Sequence, residues 1–565
     1  MNTTRLGFAL LALLAVGCSG APYDEALETS GRVDRKDGAK KEQETPVTTV
    51  TQGGFKMGVV TGRIYDDMAT NLGKTLGDMR ALGVNVMRLE IEGTDDRTYA
   101  KIADAASGRY GVDTLALVSE AAVSDPLEVD DITWFDQTFV PKYIARVDAL
   151  MAAVPSLHYV EVWNEPDVYG FFIGYPDGTP NPRTGKPMPS QVERARRYGL
   201  LVTRVFEHYD QIRRNGQRAP TIVAGDFSRQ DEPRLLNLVW NSDAVTNHRK
   251  GYRPVVGLAD GPPVDVLSIH GYGDKTKMPD EQGYAYTGTL EDGINVFLGW
   301  QFAENVQGNT SLVKNAPVWY TEIGVGSGQF GRDGQARALR TTFDILKRHT
   351  EIQAAFWYAY RDDEPGGGEG NTNGLRGNST ERVTLCAGTY GERTLPYAKH
   401  PSWDAFADVS GARGKTTFGD VPECHWAHDT IEALYARGIT KGCDGGANYC
   451  ENDNLKVKEL DAFVRRCEGD LNAGVDTESP DALRVDVALR LYKPVANPTY
   501  KGYFVDVPQT SNSNWIEIES LKDRRIGQGT DAGNGQRAFN PNTKLTRSEM
   551  AAFLSRAYGF ESDLK

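Results

Sequence analysis

Between Gly53 and Gly411 the chain repeats one local pattern, a short β-type run followed by an amphipathic stretch. The runs are FKMGVVTG (55–62), VNVMRLEIEG (84–93), TLALVSE (114–120), HYVEVWNEP (158–166), TIVAGDFS (221–228), VDVLSIHGY (264–272), VWYTEIGVG (318–326) and IQAAFWYAY (352–360). Helical intervals between them include Asp67–Leu82, Asp136–Ala153, Gln191–Tyr209, Glu291–Val306 and Gly334–Arg348. Eight strands alternating with helices predict an α/β chain folded as a closed (β/α)8 TIM barrel. The competing arrangement is a doubly wound open sheet. It is disfavoured because GVVTGRIYDD, after the first strand, lacks the G-x-G-x-x-G phosphate turn.

In a barrel of this kind the chemistry sits at the C-terminal ends of the strands. Strand two offers Arg88 there, strand four Asn164 and Glu165, and strand six His270 and Tyr272. Strand seven offers Glu322, and strand eight Trp357 and Tyr360. Two carboxylates on strands four and seven face each other across the mouth. Glycoside hydrolysis needs such a pair: one carboxyl protonates the leaving oxygen while the other, ionised, attacks the anomeric carbon, and a separation of about 5–5.5 Å gives retention. A neighbouring carboxylate raises the pKa of the acid. Arg88, His270 and Tyr272 are the donors that would keep the nucleophile ionised. Each residue also has a structural reading: Arg88 neutralising Glu90 or Glu161, His270 a satisfied buried histidine, Trp357 plain packing. Glu161, in phase with Glu165, reads as a core carboxylate in need of a partner.

These residues carry a resemblance. WNEP (163–166) resembles the strand-four motif of glycoside hydrolase clan A, and WYTEIG (319–324) its strand-seven motif. SIHGY (268–272) and FWYAY (356–360) are similar to the clan's strands six and eight, with families 39 and 5 the nearest. The resemblance implies Glu165 as acid/base and Glu322 as nucleophile. It also implies Arg88, Trp163, Asn164, His270, Tyr272 and Trp357 as substrate-binding residues. The implied activity is retaining cleavage of β-glycosidic bonds in a poly- or oligosaccharide by double displacement. Two alternatives stand beside it: a non-catalytic carbohydrate-binding or envelope scaffold protein, and a transglycosylase using the same residues. No cofactor or metal is expected, since the chain has eight His residues, no H-E-x-x-H and no G-x-S-x-G.

From Phe418 onward the chain repeats itself. FGDVPECHWAHDTIEALYARGITKGC…LKVKELDAFVRRC (418–467) and FVDVPQTSNSNWIEIESLKDRRIGQGT…FNPNTKLTRSEMAAFLSRA (504–557) share Phe-x-Asp-Val-Pro, a Trp and two helical runs. Both copies resemble the S-layer homology module, which holds exported proteins to cell-envelope polymers. The resemblance implies a small, mostly α-helical region with Arg547 as the polymer-binding residue; in the first copy Val457 stands opposite Arg547. The expected divisions are a barrel at 53–411, repeats at 418–470 and 500–560, and a degenerate repeat or linker at 471–499. The alternative is that these helices merely pack.

The N-terminus, MNTTRLGFALLALLAVGCSG, has Arg5, an apolar run from Leu6 to Val16 and a small-residue processing site. The run is shorter than the roughly 20 residues a spanning helix needs. LAVGC resembles a bacterial lipobox with Cys18 as the acylated residue, although Ala15 stands where Leu is usual. This gives a lipoprotein signal at 1–18, a disordered polar tether at 19–52, and an exported chain held at the envelope by lipid, or plainly secreted. Export favours disulfides over zinc. Cys443 is expected to pair with Cys450 and Cys424 with Cys467, leaving Cys386 over. Lys and Arg total 63 against 77 Asp and Glu, a net charge of −14, which argues against nucleic acid as a partner.

Overall fold

The computed structural model describes residues 54–62, 72–91, 93, 96–119, 121–127, 131–228, 233–254, 262–271, 294, 317–365, 371–385, 393–412, 416–474 and 478–560. Cys18 and its signal, the tether, Tyr272, Cys386 and nearly all of the expected Glu291–Val306 helix lie outside the described residues. The chain divides into two compact units, the second beginning its main body at Thr417.

In the first unit eight parallel strands close on themselves: β1 (Lys56–Gly62), β2 (Val86–Glu90), β3 (Asp113–Val118), β4 (Tyr159–Val162), β5 (Thr221–Phe227), β6 (Val266–His270), β7 (Val318–Ile323) and β8 (Ile352–Tyr358), with β8 paired back to β1. The expected barrel is the observed one. Its helices include α1 (Leu72–Leu82), α2 (Asp96–Ala105), α3 (Val140–Ala153), α4 (Gln191–Arg214), α5 (Pro233–Trp240), α6 (Asp243–Gly251) and α7 (Ser327–Leu346). A hairpin of β9 (Arg382–Leu385) and β10 (Arg393–Pro396) and the helix α8 (Pro401–Ser410) follow.

Side chains alternate across each strand, so one phase fills the barrel. Val60, Val86, Leu115, Val223, Val266, Trp319, Ala354 and Phe356 form one apolar layer, with Tyr159 and Tyr358 packed on it. The same phase continues upward through Arg88, Glu161 and His270. On β7 the register slips between Ile269↔Tyr320 and His270↔Glu322. This bulge turns both Thr321 and Glu322 inward, a common use of an extra residue beside a functional site.

The second unit has its own core, from Phe418 to Phe560. Three of its helices, α10 (Val457–Cys467), α11 (Arg484–Leu491) and α13 (Arg547–Tyr558), start alike; α9 (His428–Ala436) and α12 (Trp515–Asp523) are the others. An acid three residues in reaches back to the amide before each helix: Glu459 to Lys456 at 2.8 Å, Asp486 to Leu483 at 2.7 Å, Glu549 to Thr546 at 3.2 Å. The segments entering them close a ring of backbone bonds: Leu455 N–H to Leu545 O at 2.8 Å, Leu545 N–H to Ala482 O at 2.8 Å, Ala482 N–H to Leu455 O at 2.7 Å. The stretch 481–495 therefore supplies the third member of a pseudo-threefold set. Asp420 and Asp506, each from Phe-x-Asp-Val-Pro, make equivalent turns by accepting the amides of Tyr449 and Cys450 and of Phe539 and Asn540.

Cys443 and Cys450 form a disulfide. The expected Cys424–Cys467 bond is not made: Cys424 is disulfide-bonded, whereas Cys467 keeps its thiol. The Cys424 sulfur is already committed to another cysteine, which leaves none for Cys467, itself fully buried in the core at the end of α10. Among the described residues no helix is long and apolar enough to cross a membrane.

Candidate active site

Strand β4 ends in a strained turn. Trp163 and Glu165 have φ of 76° and 39°, conformations that side-chain-bearing residues rarely adopt and that cluster at functional sites. The turn sends the Trp163 ring outward, where it is fully buried beside Phe139, Tyr143 and Phe171, with its indole N–H donating to Tyr169 O at 3.2 Å. Asn164 and Glu165 stay at the barrel mouth.

Arg88 organises the site. Its guanidinium donates through Nε to Glu161, through one terminal nitrogen to Glu322 Oε1 at 2.5 Å, and through the other to Asn164 Oδ1 at 2.8 Å. Burial works against its charge, but Glu161 and Glu322 outweigh that and hold its pKa above the ordinary value. A planar five-donor fork suits this triple engagement in a way a lysine could not.

His270 lies between the two mouth glutamates, its Nδ1 2.8 Å from Glu165 Oε1 and 3.6 Å from Glu322 Oε2. Burial pulls its pKa down, but the Glu322 charge and the hydrogen bond to Glu165 raise it to about 9. Near neutrality it is an imidazolium donating to Glu165. One oxygen each of Glu165 and Glu322 and a ring nitrogen of His270 lie within 4.8 Å of one another. Both glutamate side chains keep some exposure, 14% and 11%, so a substrate can reach them from the mouth. The trio has the donor types of a metal site, but Arg88 already neutralises Glu322 and the protonated histidine offers no lone pair at Nδ1.

The structure thus brings together Arg88, Asn164, Glu165, His270 and Glu322. It does not bring in Trp163 or Trp357. Trp357 has the opposite phase from the interior residues Ala354 and Phe356, is fully buried, and donates its indole N–H to Asn373 O at 3.0 Å. Tyr358, one residue on, has the interior phase. Tyr360 donates to Asp78 of α1 at 2.6 Å, away from the mouth.

Two acids absent from the sequence-based set belong to this region. Asp226, at the end of β5, is fully buried and accepts from the Thr321 hydroxyl at 2.8 Å. Asp167 is buried just past Glu165 and accepts from Ser228 through its amide at 3.0 Å and its hydroxyl at 2.6 Å. Burial raises its pKa to about 6 against those two bonds. Their signal in the sequence was only position: one lies near the end of the β-run TIVAGDFS, the other just after the WNEP turn.

In the second unit Arg547 is buried. Its Nε donates to Tyr449 O at 2.9 Å, its guanidinium lies 4.9 Å from the Tyr449 ring centre, and Glu459 is 3.7 Å away. The side chain expected to bind an envelope polymer makes these contacts within the unit and keeps about 10% exposure.

Residues 417–446 match the family model described as the S-layer homology domain. No curated protein matches the chain. Among solved structures, a family 39 glycoside hydrolase from Bacteroides cellulosilyticus WH2 is similar at 16% identity and TM-score 0.39, covering 64% of this chain; the chain spans 64% of that protein's length. GH5_18 from Streptomyces cattleya in complex with GlcNAc is similar at 13% identity and TM-score 0.40, with 68% of this chain and 92% of that one covered. A β-glucosidase from Thermotoga maritima in complex with castanospermine is similar at 13% identity and TM-score 0.41, with 64% and 98% covered.

Proposed function

We propose that the chain is a retaining glycoside hydrolase that cleaves β-glycosidic bonds of a poly- or oligosaccharide by double displacement. The observation that carries this reading is the pair Glu165 and Glu322, with an oxygen of each within 4.8 Å of the other and unlike partners around them. Carboxyls this close are compatible with the roughly 5–5.5 Å separation at which the second carboxylate attacks the sugar itself. Glu322, held by the Arg88 guanidinium, is the carboxylate kept ionised for attack. Glu165 takes the His270 N–H on Oε1, which leaves Oε2 to carry the proton for the leaving oxygen and later to deprotonate water. Asn164, fixed by Arg88, presents its amide N–H2 to a sugar hydroxyl. The S-layer homology match supports a second part of the reading, that the chain is exported and held at the envelope by its C-terminal repeats; the lipobox-like LAVGC is the ground for adding Cys18 as lipid anchor.

The test is turnover of a panel of aryl β-glycosides and polysaccharides, with the first-formed anomer read by NMR. Retention is expected, and Glu322→Ala should lower kcat by about 10³-fold or more. An inverted product, or unchanged turnover in Glu322→Ala, sinks the assignment.

A further inference from the structure

Beneath the mouth lies a second pair of acids that the proposed chemistry does not use. Glu161 is fully buried; Arg88 Nε occupies its Oε2, and its Oε1 meets no donor among the described residues. Asp226 is also fully buried; Thr321 occupies its Oδ1, and its Oδ2 likewise meets no donor. The two carboxyls lie within hydrogen-bonding reach of each other, and an oxygen of each is within 4.8 Å of the other and of a His270 ring nitrogen.

Two ionised carboxylates at that distance in dry protein repel, and each orphaned oxygen carries an unmet desolvation cost. One proton between them supplies the missing donor to both. The charge count points the same way. Arg88 and His270 bring two positive charges to the barrel interior, facing the four carboxyls of Glu161, Glu165, Asp226 and Glu322. With Glu165 carrying the acid's proton and Glu322 ionised, as the proposed function requires, and with the Glu322 charge holding His270 as an imidazolium, a neutral cluster leaves one negative charge for Glu161 and Asp226 together. Buried charge that is not balanced is costly, so neutrality is the favoured state. The His270 ring, though close, makes no hydrogen bond to either orphaned oxygen, and the other groups facing the pair are engaged elsewhere. Tyr143 and Tyr198 donate to the carbonyls of Val118 and Val162 at 2.7 and 3.1 Å, and Asp167 is engaged by Ser228.

We infer that Glu161 and Asp226 share one proton and act as a single negative charge, a positioning pair that holds Arg88 on Glu322. Glu161 is the protonated partner: burial and the neighbouring Asp226 raise its pKa well above the carboxylate range, against the pull of Arg88. Its Oε1–H then donates to Asp226 Oδ2, while Oε2 accepts from Arg88. With one anion below and one above, Arg88 stays engaged with Glu322 instead of being drawn down toward two.

The test uses full-length Glu165→Gln protein, so that Glu165 contributes no carboxyl signal, at about pH 8, where Asp167 is ionised. Infrared spectroscopy is expected to show a protonated-carboxyl band that disappears when either Glu161→Gln or Asp226→Asn is added. Each single amide retains one donor and one negative charge, so Tm should move by less than about 3 °C, whereas both together should lower it by well over the sum, about 8 °C or more. Absence of a band removed by these substitutions, or additive Tm losses, overturns the shared proton. Neither readout needs turnover, so failure of glycoside cleavage would refute the proposed function alone.

Discussion

Arg88 ties the candidate site together, because three carbonyl or carboxyl oxygens, from β4, the turn after it and β7, end on one guanidinium. Removing a buried cation leaves its anions uncompensated, which costs more than the pair contributes over a hydrophobic substitute. Arg88→Met should therefore destabilise the barrel by about 3–5 kcal/mol in denaturant unfolding and abolish turnover. Arg88→Lys should recover part of the stability and little of the turnover, since an ammonium cannot hold Glu161, Asn164 and Glu322 together. His270 makes a prediction in pH. Its folded pKa of about 9 lies above its ordinary 6.5, so the folded state binds the extra proton between them. The stabilisation is full below about pH 6.5 and is lost as pH rises through about 9, on the order of 3 kcal/mol in all. Unfolding free energy measured across that window should fall in the wild type with a slope that His270→Gln lacks; equal slopes would refute the imidazolium.

At the scale of elements, the turn after β4 shows what a motif can and cannot reveal. The WNEP run announced a carboxylate at a strand end, and the structure sets Asn164 and Glu165 beside Arg88 and His270. The same letters suggested Trp163 as a substrate contact, yet a positive φ reverses its direction, and no periodicity shows that. Trp357 failed for a related reason. In Phe356-Trp357-Tyr358 every residue is aromatic, so composition cannot say which phase faces inward; the apolar layer containing Ala354 and Phe356 decides it. Asp226 escaped because β5 shifts register between Ala224 and Phe227. The eight strands were legible because their alternation with helices spans the whole unit; the bulges that aim individual side chains were not. Gly170 tests the turn itself. Its φ is +66°, and a Cβ there would sit 2.4 Å from the Trp163 ring. Gly170→Ala should cost on the order of 3 kcal/mol through left-handed strain and overpacking. A Tm within a degree or so of wild type would show that the ring is not held as described.

At the scale of the whole chain, the second unit turns a two-copy repeat into a three-part ring. Arg547, first residue of α13, reaches Tyr449 and Glu459; Arg484, first residue of α11, reaches Phe539 O at 3.1 Å and the Glu549 carboxylate. Each arginine thus grips the next member's turn and capping acid. Val457, at the same position of α10, has no charge to offer, so the ring carries two arginine links at three positions. A sequence alignment that sets Val457 opposite Arg547 finds this gap but not its meaning, because the partners come from another repeat. If Arg547 is an internal link, Arg547→Ala should weaken both fold and retention by envelope polymer together. The expected result in the full chain is a Tm several degrees lower, on the order of 5 °C, with reduced pelleting on purified cell-wall polymer and unchanged turnover of a soluble aryl glycoside. Lost pelleting with an unmoved Tm would return Arg547 to the polymer-binding surface.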